Sequence, residues 1–278
     1  MTVNKRYWLN RFIRNREALL DKSIEEAYKE LQKVYRDMAE KLMDKLDVLM
    51  AEMNSVGQGN VLASHQFSYN KYYEQLQDIQ EEMQRLGIQE ERIMNTDFSK
   101  YYTNNSNLVG EQLGIANKVD PERVKQVVGQ IWAEDGQSFS SRIWRDKGAL
   151  MDKLTSELSR IVGTGTGRNE LIKSLVKEAI ASSYANSKRL VVTELSRLYN
   201  TSTLEKYNEA GIKEVQWLAE IDNRTCPECR AMNGTRMPLE KSMGLIPVHP
   251  HCRCTWIGVV DGIEYMGKEQ KNVHYNKD

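Results

Sequence analysis

Apolar residues recur every three or four positions along the first long stretch of the chain, which is the spacing of one face of an α-helix. The stripe consists of Leu20, Ile24, Ala27, Leu31, Val34, Met38, Leu42, Leu46, Leu49 and Met53. At about 1.5 Å per residue, it predicts one helix of about 50 Å with acidic and basic residues on the other face. We expect the stripe to pack inside the chain's own core, although the same pattern would suit a neighbouring subunit.

A second helical pattern follows the break "NSVGQGN" and runs from Phe67 to Leu86, where Gly87 is expected to end it. The two patterns predict an antiparallel pair of helices. The segment "YYTNNSN", residues 101–107, is rich in turn-forming residues and predicts a loop or an irregular connection. A boundary is expected near Asn117.

Four further helices are predicted after that boundary. Asp120 is a candidate N-cap and Pro121 suits the first helical position. A second helix lies in "DGQSFSSRIWRDKGALMDKLTSELSRIV", and the glycine-rich "GTGTGR" leads into a third. Because this loop lacks the lysine and Ser/Thr of a Walker loop and follows no strand, we interpret it as a connector. A long helix from about Ser182 to Ala210 then ends at Gly211, which suits a left-handed cap.

The period changes after Gly211. In "IKEVQWLAEI", Val215, Trp217 and Ala219 alternate on one face, which predicts a strand. The segment "CRCTWIGVV" predicts a second strand, and a short piece around Arg236 and Met237 a third. The predicted fold class is therefore mainly α, with an elongated helical N-terminal region and a small C-terminal α+β module.

The net charge of the chain and its distribution limit the classes of partner that we expect. Lysine plus arginine equal aspartate plus glutamate at 39 each, so the chain lacks the overall basic field of a general nucleic-acid binder. The one local excess precedes Glu17 and comprises Lys5, Arg6, Arg11, Arg14 and Arg16. We interpret it as a solvated or partner-docked arm, with phosphate binding as the alternative.

Cysteine usage points to a shared ligand. No run of about 18 apolar residues and no signal core is visible, so we expect no membrane segment and a chain that stays in the cytosol. Reducing conditions there disfavour disulfides, and yet all four cysteines fall between Cys226 and Cys254.

The spacing of these cysteines is typical of a zinc site. "CPEC" presents Cys226 and Cys229 from one tight turn, and "HPHC" places His249 and Cys252 at the same spacing in a second. Thiolates and imidazole favour Zn²⁺ over Mg²⁺ or Ca²⁺. We predict a structural zinc held by these four residues, with Cys254 as the alternate ligand. His251 is the least favoured of the candidate ligands.

Rival interpretations fit less well. A thioredoxin-like CxxC follows a strand, opens a helix and has no second thiol pair close by, and a zinc deaminase needs HxE before PCxxC. Because two or three short strands bury little apolar surface, a zinc ion would hold the small module together. Asp222 and Arg224 could pair with each other, or with Glu194 and Arg197 one helical turn apart. The alternative is that all of these are weakly interacting surface charges.

The region from about Ser182 to Val259 resembles the phage head morphogenesis, or minor head protein, family that includes the Mu F-like proteins. The matching elements are Thr193, Glu194, Arg197, Asn200, Gly211, Trp217, "DNRTCPEC" with Asp222 and Arg224, Gly234 and "HPHCRC". The stretch from "DGQSFSSRIW" to "GTGTGR" looks like the helical lead-in of relatives from phages of Gram-positive hosts. His251 departs from the asparagine or other polar residue expected there.

The resemblance implies a virion component at the portal vertex and procapsid interior, made in the host cytoplasm and acting in head assembly and in DNA packaging or delivery. It implies the portal protein and major capsid or scaffold proteins as partners, possible contact with phage DNA, and no catalytic residues. Some relatives carry enzymatic domains after the motif; we expect none here.

The expected organisation is a helical docking region at 1–117, a head morphogenesis domain at 118–262 with a zinc-knuckle β module at 212–260, and a charged tail at 263–278.

Overall fold

The computed structural model describes the backbone of residues 5–56, 61–116, 118–164 and 169–259, and the side chains of residues 17–48, 50–51, 70–116, 118–157, 159, 170–171 and 173–259. The helices and strands occur in this order: α1 (Lys5–Val56), α2 (Val61–Leu113), α3 (Pro121–Val128), α4 (Phe139–Thr164), α5 (Asn169–Glu209), β1 (Glu214–Leu218), α6 (Pro227–Met232), β2 (Arg236–Pro238), α7 (Leu239–Ser242) and β3 (Thr255–Val259). The prediction of a mainly helical chain with a small C-terminal sheet is confirmed.

The chain divides into two compact units, and each takes residues from separate parts of the sequence. The first, which we call the sheet unit, draws its described residues from Met1–Glu25, Thr96–Gln130 and Leu190–Asp278. The second, which we call the helical unit, consists of Glu26–Asn95 and Ile131–Arg189. The consecutive division at residues 117 and 262 stays a prediction, and the predicted tail at 263–278 lies outside the described residues.

In the helical unit, α1 and α2 pack side by side and run antiparallel. Lys41 is paired with Glu82 at 3.5 Å, and Lys45, further along α1, is paired with the earlier Asp78 of α2 at 2.5 Å. The apolar stripe of α1 is buried in the core of this unit: Leu31, Met38, Leu42 and Leu46 are each at most 4% exposed. The helical pair and the burial of the stripe within the chain are therefore confirmed, because an amphipathic helix buries its apolar face.

Two predicted helix boundaries are wrong. Helix α2 does not end at Gly87, and "YYTNNSN" is part of the same helix, with Tyr101 and Tyr102 each 1% exposed. Asn105 explains why turn-forming residues can be helical here. Its amide donates to the hydroxyls of Ser202, at 2.8 Å, and Thr203, at 3.1 Å. Tertiary hydrogen bonds thus engage the amide group of a side chain that would otherwise compete with the helical backbone.

The helices after the boundary agree in part with prediction. Asp120 caps α3 by accepting from the backbone N–H of Glu122 at 3.0 Å, and Pro121 begins the helix, as predicted. Helix α5 is longer than predicted, because it begins at Asn169 and continues through Ser182 without a break. The connector residues 165–168 lie outside the described residues. Gly211 has a φ of +78° and ends α5 in the left-handed conformation, as predicted.

The three strands form one antiparallel sheet in the order β2-β1-β3. Val215 is opposite Met237 on one side, and Trp217 is opposite Trp256 on the other. The two tryptophan rings are buried and meet edge to face, with centroids 5.1 Å apart. Gly234 has a φ of +84° where the chain turns from β1 towards β2, and its N–H donates to the carbonyl of Trp217 at 2.8 Å. A side chain at this position would be strained.

Among the described residues, no helix combines the length and the apolar character that a membrane crossing requires.

Two helical glycines give a test of the packing in the helical unit. A Cβ added at Gly87 would lie 2.7 Å from the ring of Trp144, whose indole N–H donates to Glu91 at 3.1 Å, whereas a Cβ at Gly148 would meet nothing within 4 Å. Gly148→Ala should stabilise the protein by about 1 kcal/mol through helix propensity. Gly87→Ala should not, because the ring must leave its place. Chemical denaturation of both variants checks this, and an equal gain in the free energy of unfolding would contradict it.

Candidate metal centre

The first knuckle, residues 226–229, lies at the start of the short helix α6. Cys226 is the N-cap, and its sulfur accepts from the backbone N–H of Cys229 at 3.2 Å. Pro227 occupies the first turn, where its missing N–H costs nothing. This local geometry turns both thiols of the CxxC to the same side.

The second knuckle, residues 249–252, is a turn closed by a hydrogen bond from the N–H of Cys252 to the carbonyl of His249 at 3.1 Å. The Nδ1 of His249 lies 2.9 Å from the carbonyl of Pro250. With the proton on Nδ1, the ring donates to that carbonyl and Nε2 presents its lone pair to the cysteines. His251 has a φ of +62° and an exposed side chain; it lines the cavity beside the cluster but belongs to neither group of donor atoms.

The two knuckles bring their donor atoms together. The Nε2 of His249 lies 3.3 Å from the sulfurs of both Cys226 and Cys229, and the sulfurs of Cys229 and Cys252 are 3.8 Å apart. The donors form two overlapping triads, Cys226–Cys229–His249 and Cys229–Cys252–Cys254, within each of which all atoms lie within 4.8 Å of one another. Cys229 belongs to both. The predicted ligands and the predicted alternate therefore meet in one cluster.

These distances fit a tetrahedral ion. With bonds of about 2.3 Å to sulfur and about 2.0–2.1 Å to nitrogen, the edges of a zinc tetrahedron are roughly 3.8 Å between sulfurs and roughly 3.5 Å between sulfur and nitrogen. A cavity of about 20 Å³ lies against the cluster, lined by Cys226, Cys229, His249 and Cys254 among others. That volume is comparable to the space one water molecule needs, which is also the scale of a single ion.

Two of the four thiols have a lowered pKa, which favours their thiolate form. The backbone N–H of Cys229 lowers the pKa of Cys226, and the hydrogen bond from Cys254 lowers that of Cys252 to about 5. Burial raises the pKa of Cys229 to about 12, and the hydrogen bond with Cys252 raises that of Cys254. The carbonyl of Pro250 raises the pKa of His249. Because the thiolate is the metal ligand, Cys226 and Cys252 offer one ready donor from each knuckle.

The buried polar face of α5 holds the second knuckle in place. The hydroxyl of Ser196 donates to the carbonyl of Cys252 at 2.9 Å, and the amide of Asn200 donates to that of Cys254 at 3.3 Å. Asn200 also accepts from the backbone N–H of Trp256 at 3.2 Å, and Thr193 from that of His251 at 3.3 Å. These side chains lie at helical spacing on one face of α5, and they position the chain on both sides of Cys252.

Glu194 and Arg197 hold a different element. Arg197 is paired with Glu194 at 2.7 Å, and its guanidinium donates to the carbonyls of Val127 at 3.0 Å and Val128 at 3.4 Å, at the end of α3. Both side chains are at most 3% exposed. The alternative that they are surface charges is therefore wrong for this pair, because Arg197, held by Glu194, satisfies carbonyls that a helix end leaves without intrahelical partners.

Asp222 connects the two knuckles. Its carboxylate accepts from the backbone N–H of Arg224 at 2.8 Å, is paired with the Arg224 side chain at 3.3 Å, and accepts from Arg253, between Cys252 and Cys254, at 2.6 Å. The hydrogen bond from Arg253 holds the pKa of Asp222 well below its usual range. The predicted pairing of Asp222 with Arg224 is confirmed, and Arg253 is the partner that sequence reasoning missed.

The CxxC differs only in part from a thioredoxin-like pair. The CxxC does open a helix, α6, and comes after β1, so this contrast with thioredoxin-like pairs is wrong. The second contrast stands, because another thiol lies 3.8 Å from Cys229 and all four cysteines are free. The side chains of Lys5, Arg6, Arg11, Arg14 and Arg16 lie outside the described residues, so the basic arm stays a prediction.

Ser196 was missed by sequence reasoning although it lies between the recognised Thr193 and Asn200. A serine in the middle of a helix usually faces solvent or bonds to the backbone of its own helix. Only the burial of Ser196, which is 2% exposed, marks it as the donor of a hydrogen bond to another element. The spacing of three and four residues from Thr193 to Ser196 and Asn200 was the available signal.

Asn200 gives a test of this anchoring. Asn200→Ala should lower the free energy of unfolding by about 1–3 kcal/mol, because it leaves the buried N–H of Trp256 and the carbonyl of Cys254 without a partner. Asn208→Ala, at an exposed position of the same helix, is the matched control and should change stability little. Hydrogen exchange should show lost protection at 249–257 in the first variant alone. Unchanged exchange there would contradict the anchoring role.

Comparison with known proteins agrees with the motifs. The profile described as Phage Mu protein F like protein matches residues 152–257, a range that contains both knuckles and the polar face of α5. The NAD(+)--arginine ADP-ribosyltransferase EFV of Enterococcus faecalis (strain ATCC 700802 / V583) is 27% identical over 146 residues, which cover 46% of this chain and 30% of that protein. No solved structure matches. Residues 152–257 thus match the Phage Mu protein F like profile, in agreement with the resemblance to the phage head morphogenesis family.

Proposed function

We propose that this chain is a non-enzymatic minor head protein of a tailed phage, which acts at the portal vertex inside the procapsid in head morphogenesis and in DNA packaging or delivery. Its proposed partners are the portal protein and the major capsid or scaffold proteins. The observation that carries the proposal is the family match at 152–257, which coincides with the segment in which the donor cluster and its anchors lie.

We further propose that the cluster holds one structural zinc ion through Cys226, Cys229, His249 and Cys252, with Cys254 as the alternate fourth ligand. Zinc would supply a cross-link between the two knuckles. We infer a need for one here because β2 has three residues and β1 and β3 five each, and a sheet this small is marginal without a further cross-link. The chain's own residues do the positioning: α6 fixes the first knuckle, and Thr193, Ser196 and Asn200 fix the second.

A structural site is favoured over a catalytic one. A catalytic zinc keeps one coordination position open to water, whereas this cluster has five donors for four positions. The transferase activity in the name of the Enterococcus faecalis relative belongs to a protein of which this chain matches 30%. We therefore propose no transferase activity for this chain.

DNA contact is the second candidate, and exposed arginines near the cluster favour it. Arg224 is 72% exposed and Arg236 is exposed on β2, whereas Arg253 is paired with Glu220 and Asp222, each at 2.6 Å. Phosphate contacts release counterions, so binding to duplex DNA through Arg224 and Arg236 should weaken steeply with salt. Binding that is insensitive to salt, or unchanged in Arg224→Gln with Arg236→Gln, would remove this candidate.

Elemental analysis tests the metal. The purified protein should contain about one zinc per chain, because the donor geometry matches a single tetrahedral site. Cys229→Ser removes the donor that belongs to both groups, so it should lose the zinc, together with cooperative unfolding of the sheet unit followed by hydrogen exchange. His251→Asn is the control, since it removes an exposed imidazole of the second knuckle that belongs to neither donor group, and it should keep both. Zinc-free protein of unchanged stability would contradict the structural role.

Co-migration tests the assembly role. The full chain mixed with the portal protein of the same phage should elute with it in size-exclusion chromatography, whereas portal protein from an unrelated phage should not bind. The zinc-depleted Cys229→Ser protein should bind more weakly if the sheet unit contributes to the contact. Failure to co-migrate with the cognate portal at several salt concentrations would count against portal binding, without bearing on the zinc measurement.

A further inference from the structure

A set of buried polar side chains lies in the helical unit, away from the cysteines. Tyr35 of α1, Glu90 of α2, Lys147 of α4, and Ser183 and Ser187 of α5 are each at most 3% exposed. We call these residues the polar layer. Polar groups at this depth require hydrogen-bond partners, and a buried charge requires an opposite one.

Lys147 and Glu90 supply the charges. The Nζ of Lys147 lies 2.8 Å from a Glu90 carboxylate oxygen, 2.9 Å from the hydroxyl of Ser183 and 3.1 Å from Asp146. It also donates to the hydroxyl of Tyr35. Burial alone lowers the pKa of this lysine, but Glu90, Tyr35 and Asp146 together raise it above its ordinary value. The lysine is therefore a buried cation with a buried anion beside it.

Tyr35 joins α1 to the other three helices. Its hydroxyl donates to Glu90 at 3.0 Å, and it lies 3.0 Å from the hydroxyl of Ser183 and 2.8 Å from that of Ser187. Ser187 donates in turn to the second oxygen of Glu90, and Ser183 donates to Asp146. Each of the helices α1, α2, α4 and α5 thus contributes at least one partner to a single connected network.

The neighbouring layer of the same unit is apolar. One helical turn from Tyr35, Glu90, Lys147 and Ser183 lie Met38, Leu86, Leu150 and Ile180, all at most 5% exposed and all in one core cluster. If one helix shifted along its axis by a turn of about 5.4 Å, a polar residue would meet this apolar layer. An apolar layer tolerates such exchanges among residues of similar volume, whereas an unpaired buried charge does not.

We propose that the polar layer locks the axial register of the helical unit: hydrogen bonding of Tyr35 and the Lys147–Glu90 pair selects one alignment of α1, α2, α4 and α5 over alignments shifted by a turn. The apolar stripes repeat every three or four residues along α1 and distinguish such alignments weakly. The polar layer is the feature at which a shift leaves charges and hydroxyls without partners.

Tyr35→Phe is the most conservative test, since it removes the contribution of α1 and leaves the ion pair in place. We expect the full chain to fold, and methyl NMR of ¹³C-methionine to show Met38 of α1 with more than one cross-peak or a broadened one. Met83 lies on α2, which keeps its Glu90–Lys147 pair, and it should keep a single peak. One sharp peak for Met38, as in the parent protein, would overturn the proposal.

The ion pair gives a second, independent test. Lys147→Met and Glu90→Met should each lower the midpoint of chemical denaturation, because each leaves the other residue as a buried charge without a partner. The double variant should recover most of the lost stability. The double variant should also show several methyl peaks for Met38 and Met83. Lys45→Met with Asp78→Met, an exposed pair between α1 and α2, is the matched control and should keep single peaks.

A double variant with single methyl peaks throughout would show that apolar packing sets the register by itself, and it would overturn the proposal. A double variant less stable than either single variant would do so as well, because the pair would then contribute stability instead of selectivity. If a single variant does not fold, Tyr35→Phe and the double variant still decide.

Discussion

The polar face of α5 is buried, and this constraint organises the sheet unit. Thr193, Ser196 and Asn200 cannot reach water, so they bond to the backbone around His251, Cys252, Cys254 and Trp256. On the neighbouring positions, Glu194 and Arg197 form a buried pair that satisfies the end of α3. One helix therefore positions both the second knuckle and α3, and the carboxyl-terminal strand β3 follows directly from the held segment.

The donor cluster depends on that positioning. The first knuckle is fixed locally by the cap of α6, whereas the second is fixed from a distance by α5, and Asp222 and Arg253 join the two through a carboxylate–guanidinium contact at 2.6 Å. The sulfur and imidazole nitrogen atoms of the cluster are thereby held 3.3 to 3.8 Å apart, although thiolates this close repel one another and are poorly solvated when buried. Such an arrangement suits a soft cation, and it explains why a sheet with so few residues can carry a defined shape.

Buried polar groups also distinguish the helical unit, where Lys147 and Glu90 supply the charges of a network that connects four helices. The stripes of α1 and α2 explain why the helices associate, since burial of apolar area is the main favourable term. They explain less well why one alignment is chosen. Lys147 and Glu90 add this selectivity, in the sense in which a single buried polar contact specifies the register of a coiled coil.

Local periodicity and fixed residue types are enough to predict the helix of α1, the cap at Asp120, the turn at Gly211, the three strands and the donor residues of the two knuckles. They fail at Gly87 and at residues 101–107, where intrinsic propensity predicts an end and a loop. Tertiary packing overrides propensity there, because the ring of Trp144 fills the space above the glycine, and Ser202 and Thr203 accept hydrogen bonds from the amide of Asn105. Sequence patterns could not place Arg253 on Asp222, Ser196 on Cys252 or Lys147 on Glu90, since these partners are 31, 56 and 57 residues apart and only the packed chain brings them within hydrogen-bonding distance.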